Sequence, residues 1–356
     1  MIAAIVGARP NFVKHAALAG HLPEETMLIH TGQHYDYEMS RVFFDHLDMP
    51  SPDVNLGIHE PTHCLQLSKM LRELENLLAK ENIDAVVVYG DTNSTLAGAL
   101  CANKLGLKLA HVEAGVRHFD RSVPEEVNRV LIDHIADLLL CPTEAAVQHA
   151  GDERCPGTAI WTGDLHYDLY LKTARHLRDT LPEVVADLID AQQPYLLVTV
   201  HRSSNTDELG NLLSIAEALI DLKTPILFPV HPRTRNALEA TGLLSTLQMA
   251  ELVHLIRPLD YTEFISVLMH SHRVLTDSGG VQKEAYFCGV PCVTLRQYSP
   301  WPETQRNGWN RIIAPQRSAI LDAVMRSPDG ERVADVFGDG NAGAKIAEAI
   351  RRLCDG

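Results

Sequence analysis

The sequence predicts two α/β domains, each a doubly wound parallel sheet of Rossmann-like type. Three observations point there. Short apolar runs alternate with helical patterns along most of the chain, the rhythm of βα units covered by helices on both faces. At 356 residues the chain is long for a single core. The strand rhythm breaks once, between Asp164 and Pro194, where polar helical sequence intervenes.

In the first half, β-branched and apolar runs place strands at 2–6, 27–30, 85–89, 107–112, 138–141 and 159–161. Helical spacing between them gives 11–21, 36–47, 62–80, 93–104, 125–136 and 143–150. The second half repeats the pattern, with strands at 195–200, 225–229, 252–255, 273–276 and 291–294. Its helices are expected at 207–221, 232–240, 261–270, 279–288 and 316–327. The domains are therefore set at 1–170 and 171–340. A terminal segment, 341–356, carries a last helix from Gly343 to Leu353 that is free to return to the first domain. Two such domains are expected to face each other across a cleft.

Composition narrows the function. The apolar fraction of 46% and charged fraction of 22% are those of a globular protein. Lys and Arg number 31 against 46 Asp and Glu, a net charge of −15, which argues against a general nucleic-acid or anionic-membrane surface. A small anionic ligand remains open, because local cations and backbone N–H groups can build a positive pocket in an acidic protein. The seven cysteines are dispersed, with no CxxC, as in a reduced cytoplasmic setting. Cys288 and Cys292 have no ligand partners at zinc spacing, so no metal is expected. Neither a signal peptide nor a membrane-spanning run is seen.

The chemistry is concentrated at strand ends. Asp91 follows Ala85–Tyr89, Glu113 follows the run ending at Val112, and Glu125 lies in Pro124-Glu125-Glu126. In open parallel sheets that edge carries the ligand crevice. Each acid also has an ordinary structural reading: Asp91 as a helix cap, Glu125 as a first-turn acid favoured by the helix dipole. Glu113 has less excuse, since Ala114-Gly115 offers no helix to cap. Jointly they form a candidate acid/base set.

Gly7-Ala8-Arg9-Pro10 joins the first strand to the first helix, with Arg9 and Lys14 as anion contacts or as a plain βα turn with surface cations. Gln33 and His34 lie in the next strand-end loop, which suits either a sugar site or an N-cap. Arg117 is a further candidate binding residue. In the second domain His201-Arg202 and His231-Pro232-Arg233 end successive strands and make a cationic rim. Ser278-Gly279-Gly280 opens a helix at which backbone N–H groups can meet a diphosphate, with Glu284 placed for ribose hydroxyls. The competing reading there is a Ser-capped helix with a solvated Glu.

Taken in order, these motifs resemble the non-hydrolysing UDP-N-acetylglucosamine 2-epimerases, including the related UDP-diacetamido-glucuronate 2-epimerase branch. The matching segments are Gly7–Pro10, Thr31–His34, Gly90–Thr92, His111–Gly115, Pro124–Glu126, Thr199–Arg202, Pro229–Arg233 and Asp277–Glu284. The resemblance implies the GT-B fold, a UDP-sugar substrate, no metal or redox cofactor, a homodimer and a role in cell-surface polysaccharide synthesis. It implies C2 epimerisation by anti elimination of UDP to a 2-acetamidoglucal, followed by re-addition. Asp91, Glu113, Glu125 and His201 then correspond to the catalytic set. Arg9, Lys14, Gln33, His34, Arg117, Arg202, His231, Arg233, Ser278, Gly279, Gly280 and Glu284 correspond to substrate contacts.

Three segments depart from the family pattern. After His201-Arg202, Ser203-Ser204-Asn205 stands where the family often has a Glu-Asn pair, and the loop 57–63 lacks Gly/Ser character. Asp36 stands where regulated bacterial members carry a Gln at an activating site. Tyr298-Ser299-Pro300-Trp301 resembles the branch acting on modified sugars. A hydrolysing epimerase, a GT-B glycosyltransferase and a sugar-nucleotide sensor are the competing readings.

Overall fold

The computed structural model describes residues 1–33, 51–177, 181–186, 188 and 193–355. His34, Asp36 and the helix expected over 36–47 lie outside the described residues. The chain forms two compact units, Met1–Leu169 with Asp335–Gly356, and Tyr170–Ala334.

Unit 1 is built on a seven-stranded sheet with the order β3-β2-β1-β4-β5-β6-β7. The strands are β1 (Ile2–Val6), β2 (Met27–His30), β3 (Val54–Asn55), β4 (Ala85–Tyr89), β5 (Lys108–Val112), β6 (Leu138–Cys141) and β7 (Thr158–Trp161). All pairings are parallel. Every residue of β1 and β4 is buried, so their apolar side chains serve both faces of the sheet. The helices are α1 (Arg9–Ala19), α2 (His63–Leu78), α3 (Asn93–Leu105), α4 (Pro124–Asp133), α5 (Glu144–Asp152), α6 (Leu165–Ala174) and, far along the chain, the helix Ala342–Asp355. Thr62, Thr92 and Thr143 begin α2, α3 and α5 by accepting the Leu65, Thr95 and Ala146 N–H groups. The helix Ala342–Asp355 inserts Ala342, Ile346, Ala347 and Ile350 into the core formed by Ile2, Ala4, Val6, Phe12 and Leu18.

Unit 2 carries a six-stranded parallel sheet, β10-β9-β8-β11-β12-β13. Its strands are β8 (Leu196–Thr199), β9 (Ile226–Pro229), β10 (Val253–Ile256), β11 (Arg273–Thr276), β12 (Cys292–Leu295) and β13 (Asn310–Ile313). The helices are α7 (Glu183–Ala186), α8 (Ser203–Thr206), α9 (Leu209–Asp221), α10 (Pro232–Ala240), α11 (Leu243–Gln248), α12 (Tyr261–His270), α13 (Gly279–Cys288) and α14 (Arg317–Met325), and we number the helix Ala342–Asp355 of unit 1 α15.

β3, β13, α8 and α11 were not expected from sequence, whereas α6 and α7 fall in the helical stretch read between Asp164 and Pro194. The reasons are length and context. β3 has only two residues, β13 follows an irregular 3₁₀ segment at Pro302–Gly308, and α8 is a single turn. Both sheets reverse strand order at their centre, β1 against β4 and β8 against β11. In open α/β sheets that switch point opens the crevice at the carboxyl ends of the strands. Among the described residues no helix is long and apolar enough to cross a membrane.

Candidate active site

In unit 1 the switch point gathers the predicted acids. Tyr89 pairs with Val112, so Asp91 and Glu113 leave neighbouring strands at nearly the same height. Asp91 does not cap α3, since Thr92 fills that position. Its carboxylate instead meets the guanidinium of Arg129. Glu113 takes a positive φ of 68°, unusual for a side chain of its size. That backbone turns its carboxylate onto the Lys14 ammonium, 2.9 Å away and largely buried. Gly90, also at positive φ, leaves room for this pair: a Cβ there would lie 2.9 Å from Lys14 Nζ.

Arg129 is the hub that sequence reading missed. Burial opposes its charge, but Asp91, Glu113 and Glu126 outweigh burial and hold the guanidinium protonated. Glu126 is buried and accepts the His118 and Phe119 N–H groups at 2.8 Å each. Its neighbour Glu125, the predicted catalytic acid, stands exposed on the first turn of α4. Asn128 donates to the Asp91 carbonyl at 2.8 Å, so α4 holds the Asp91 loop through two side chains.

Beneath these loops lies a buried charge network. His111 Nδ1 lies 2.6 Å from Asp133 Oδ1, and its Nε2 lies 2.7 Å from the Gly90 carbonyl. The other Asp133 oxygen accepts from Gly115 N–H at 3.0 Å and Arg117 Nη1 at 2.6 Å. Burial acts to raise the Asp133 carboxyl, yet His111 and Arg117 overcome it and hold the group below the ordinary carboxylate range. Arg117 also grips Glu153 with two parallel bonds of 2.8 and 2.7 Å. Its guanidinium is thus committed to protein carboxylates and buried, which places it as support under the Glu113 loop rather than as an open substrate contact.

The remaining predicted residues of unit 1 divide similarly. Gln33 Oε1 accepts from the Ser94 N–H and hydroxyl at 2.9 and 2.7 Å, so it anchors the start of α3. Arg9 is exposed at the first position of α1. A Cβ on Gly7 would fall 1.9 Å from Ser94 Oγ, which explains that glycine by close approach. Glu113, Asp164 and His166 bring ligand atoms within 4.8 Å of one another, a cluster already facing the Lys14 ammonium.

In unit 2 the organising group is Asp277, fully buried at the end of β11. Its carboxylate accepts the His201 N–H at 3.1 Å, the Arg202 N–H at 2.9 Å and Asn205 Nδ2 at 3.0 Å. His201 Nδ1 lies 3.5 Å from Asp277, with its ring 38% exposed. His231 stacks at a tilt on His201, centroids 5.6 Å apart, and accepts the Arg233 N–H at Nδ1. Its Nε2 is therefore the nitrogen that carries the proton in the neutral ring. Arg233 extends outward to Asp207 at 3.0 Å. Arg202 keeps a buried Nε with no partner among the described residues. Ser278 begins α13, with its hydroxyl taking the Val281 N–H, and a Cβ on Gly279 or Gly280 would meet only ordinary contacts, 3.7 Å from Arg296 Nη1 and 3.9 Å from Ser278 Oγ. Glu284 is half-buried on α13.

Fold and sites together define a two-domain α/β protein of the GT-B class, with acids and cations at one switch point and a Ser-Gly-Gly helix start at the other. A sequence model of the UDP-N-acetylglucosamine 2-epimerase family matches residues 17–351. A UDP-N-acetylglucosamine 2-epimerase homolog of Methanococcus maripaludis is 44% identical over 99% of both chains. The UDP-2,3-diacetamido-2,3-dideoxy-D-glucuronate 2-epimerase of Pseudomonas aeruginosa is 41% identical over 99% of both. The crystal structure of Methanocaldococcus jannaschii UDP-GlcNAc 2-epimerase in complex with UDP-GlcNAc and UDP aligns with a TM-score of 0.89, at 37% identity and 99% coverage of each chain. The chain belongs to the UDP-N-acetylglucosamine 2-epimerase family.

Proposed function

We propose that the protein inverts C2 of a UDP-linked 2-acetamido sugar without releasing the sugar. The observation that carries this reading is the pairing of Asp91 with Arg129 and of Glu113 with Lys14 at adjacent strand ends. Two carboxylates held in one pocket, each balanced by its own cation, can divide acid and base work.

The C2 hydrogen has no neighbouring carbonyl and is hardly acidic, so its removal has to be coupled to loss of a good leaving group. A carboxylate takes the C2 proton as the C1–O bond to UDP breaks. The electrons of the C–H bond form the C1=C2 double bond, and the diphosphate oxygen keeps the C–O pair. UDP then adds back to C1 while a proton is delivered to the opposite face of C2. Asp91, Glu113 and Glu125 form the acid/base set in this reading, and His201 serves the departing diphosphate. Lys14, Arg9, Arg202, His231, Arg233 and the helix start at Ser278, Gly279 and Gly280 balance negative charge. Gln33, His34 and Glu284 complete the substrate contacts. Arg117 serves this site by fixing the Glu113 loop.

Two substrates compete, UDP-N-acetylglucosamine and a modified UDP-diacetamido-uronate. The identities do not separate them: the relative named for the second is 41% identical, and those named for the first are 44%, as a homolog, and 37%. Proton NMR in D₂O with each sugar decides. A manno product carrying deuterium at C2, with UDP still attached, is expected for one of them. Free sugar plus UDP assigns the hydrolysing reaction, and no turnover of either sugar refutes the proposal.

A further inference from the structure

The carboxyl edge of the unit 2 sheet carries the predicted phosphate motif. The opposite edge holds a second cationic feature that this reading does not use. Arg273 is the first residue of β11 and only 4% exposed. Among the described residues its buried Nε and Nη1 have no partner. Arg311 lies on β13, two strands away, and its buried Nε likewise has no partner among the described residues. Arg273 pairs in register with Leu196, and Arg311 with Val293, so both arginines share the sheet face of Leu196, Val198 and Val293. Arg311 spends one nitrogen on the Ser327 carbonyl at 3.0 Å and on the exposed Asp329 carboxylate at 3.2 Å.

The electrostatics are lopsided. Burial is the chief factor disfavouring charge on Arg273, and the Arg311 charge adds to it. Among the described residues the one group acting to keep Arg273 charged is the Cys292 thiol, which burial pushes up to about 12 and so leaves neutral at ordinary pH. Buried charges are normally paired, and buried N–H groups are normally bonded. Ordered water would satisfy the N–H groups but would leave the Arg273 charge uncompensated, since Asp329 faces Arg311 alone. An anion does both, and guanidinium forks match oxyanions in shape.

We infer that Arg273 and Arg311 form a binding site for a small oxyanion of the phosphate, sulfate or carboxylate class, at the amino edge of the unit 2 sheet and separate from the proposed catalytic groups. The inference does not depend on the reaction proposed above.

The test uses the full-length protein saturated with UDP, so that the nucleotide motif is occupied. Thermal unfolding is followed as inorganic phosphate replaces chloride at constant ionic strength. The wild type should gain roughly 3 °C at a phosphate concentration ten times the Kd of the site. Arg273→Met should lose that gain while its UDP affinity stays unchanged. If Arg273→Met does not fold, Arg311→Gln is read instead, and its phosphate gain should be reduced. The inference is overturned if UDP saturation abolishes the phosphate effect in the wild type. It is equally overturned if the variant keeps the full gain, or if Arg273→Met is more stable than the wild type at every phosphate concentration.

Discussion

At the scale of single residues, the site works by pairing rather than by crowding. Glu113 sits in a backbone conformation that costs on the order of 1 kcal/mol or more for a non-glycine residue. Its reward is a fixed contact with Lys14. If Glu113 is an acid/base group, Glu113→Gln keeps the shape and removes the proton-accepting charge. We expect kcat to fall at least about a hundredfold with UDP affinity retained. Measuring deuterium wash-in at C2 beside UDP binding checks this, and near-normal wash-in would remove Glu113 from the chemistry. Asp277 belongs to the same scale: one buried carboxylate holds two backbone N–H groups and Asn205, fixing the His201 loop before any substrate arrives. Asn205 is the last residue of the Ser203-Ser204-Asn205 segment that departs from the family pattern, and its side chain anchors that segment to Asp277.

At the scale of elements, α4 and the β5 loop form one mechanical unit joined through Asp133. Its folded carboxyl lies below its ordinary value of 3.8, owing to His111 and Arg117 acting against burial. The unfolded chain therefore binds the proton more readily, and stability from this group is present above about pH 4. It is lost as pH falls through the lower folded value. Asp133→Asn should lower the melting temperature at pH 7 and flatten the acid limb of its pH dependence; an unchanged acid limb would show that other carboxylates dominate there. Gly115 tests the same unit by sterics. Its φ is +73°, and a Cβ would lie 2.1 Å from the Ala146 carbonyl oxygen, a backbone atom that cannot swing aside. Gly115→Ala should therefore cost about 3 kcal/mol or more, read as a lower urea midpoint. Sequence made Glu113 and Asp91 legible because each sits immediately after an apolar run. It hid Asp133 and Arg129 because they lie within an amphipathic helix, and their partners other than Glu126 are 16 to 38 residues away. The one local signal was Asn128-Arg129, placed about a turn beyond Glu125. Arg117 shows the converse error: a cation in a conspicuous loop is committed beneath it.

At the scale of the whole molecule, the parallel sheets were legible because buried strands are written as unbroken apolar runs, whereas β3 and β13 are too short or too mixed to stand out. The partition of the chain is less local. Unit 1 is discontinuous in sequence, since residues 335–356 belong with residues 1–169. The physical cause is the apolar stripe of α15. Ala342, Ile346, Ala347 and Ile350 are each at most 1% exposed and pack with Phe12 and Leu18. Asp168 adds a tie by accepting the Gly343 N–H at 2.8 Å. Truncating one such buried aliphatic residue to Ala costs about 2–5 kcal/mol, so removing the helix should cost more than any single substitution. Deleting residues 342–356 should therefore loosen unit 1 while sparing unit 2, although unit 2, ending at Ala334, is the nearer of the two in sequence to the cut. Hydrogen exchange of the full chain against the deletion variant checks this. Protection should drop at β1 and α1 and persist at β8 and β11. A uniform loss across both sheets would mean that α15 supports the entire chain instead of its own unit.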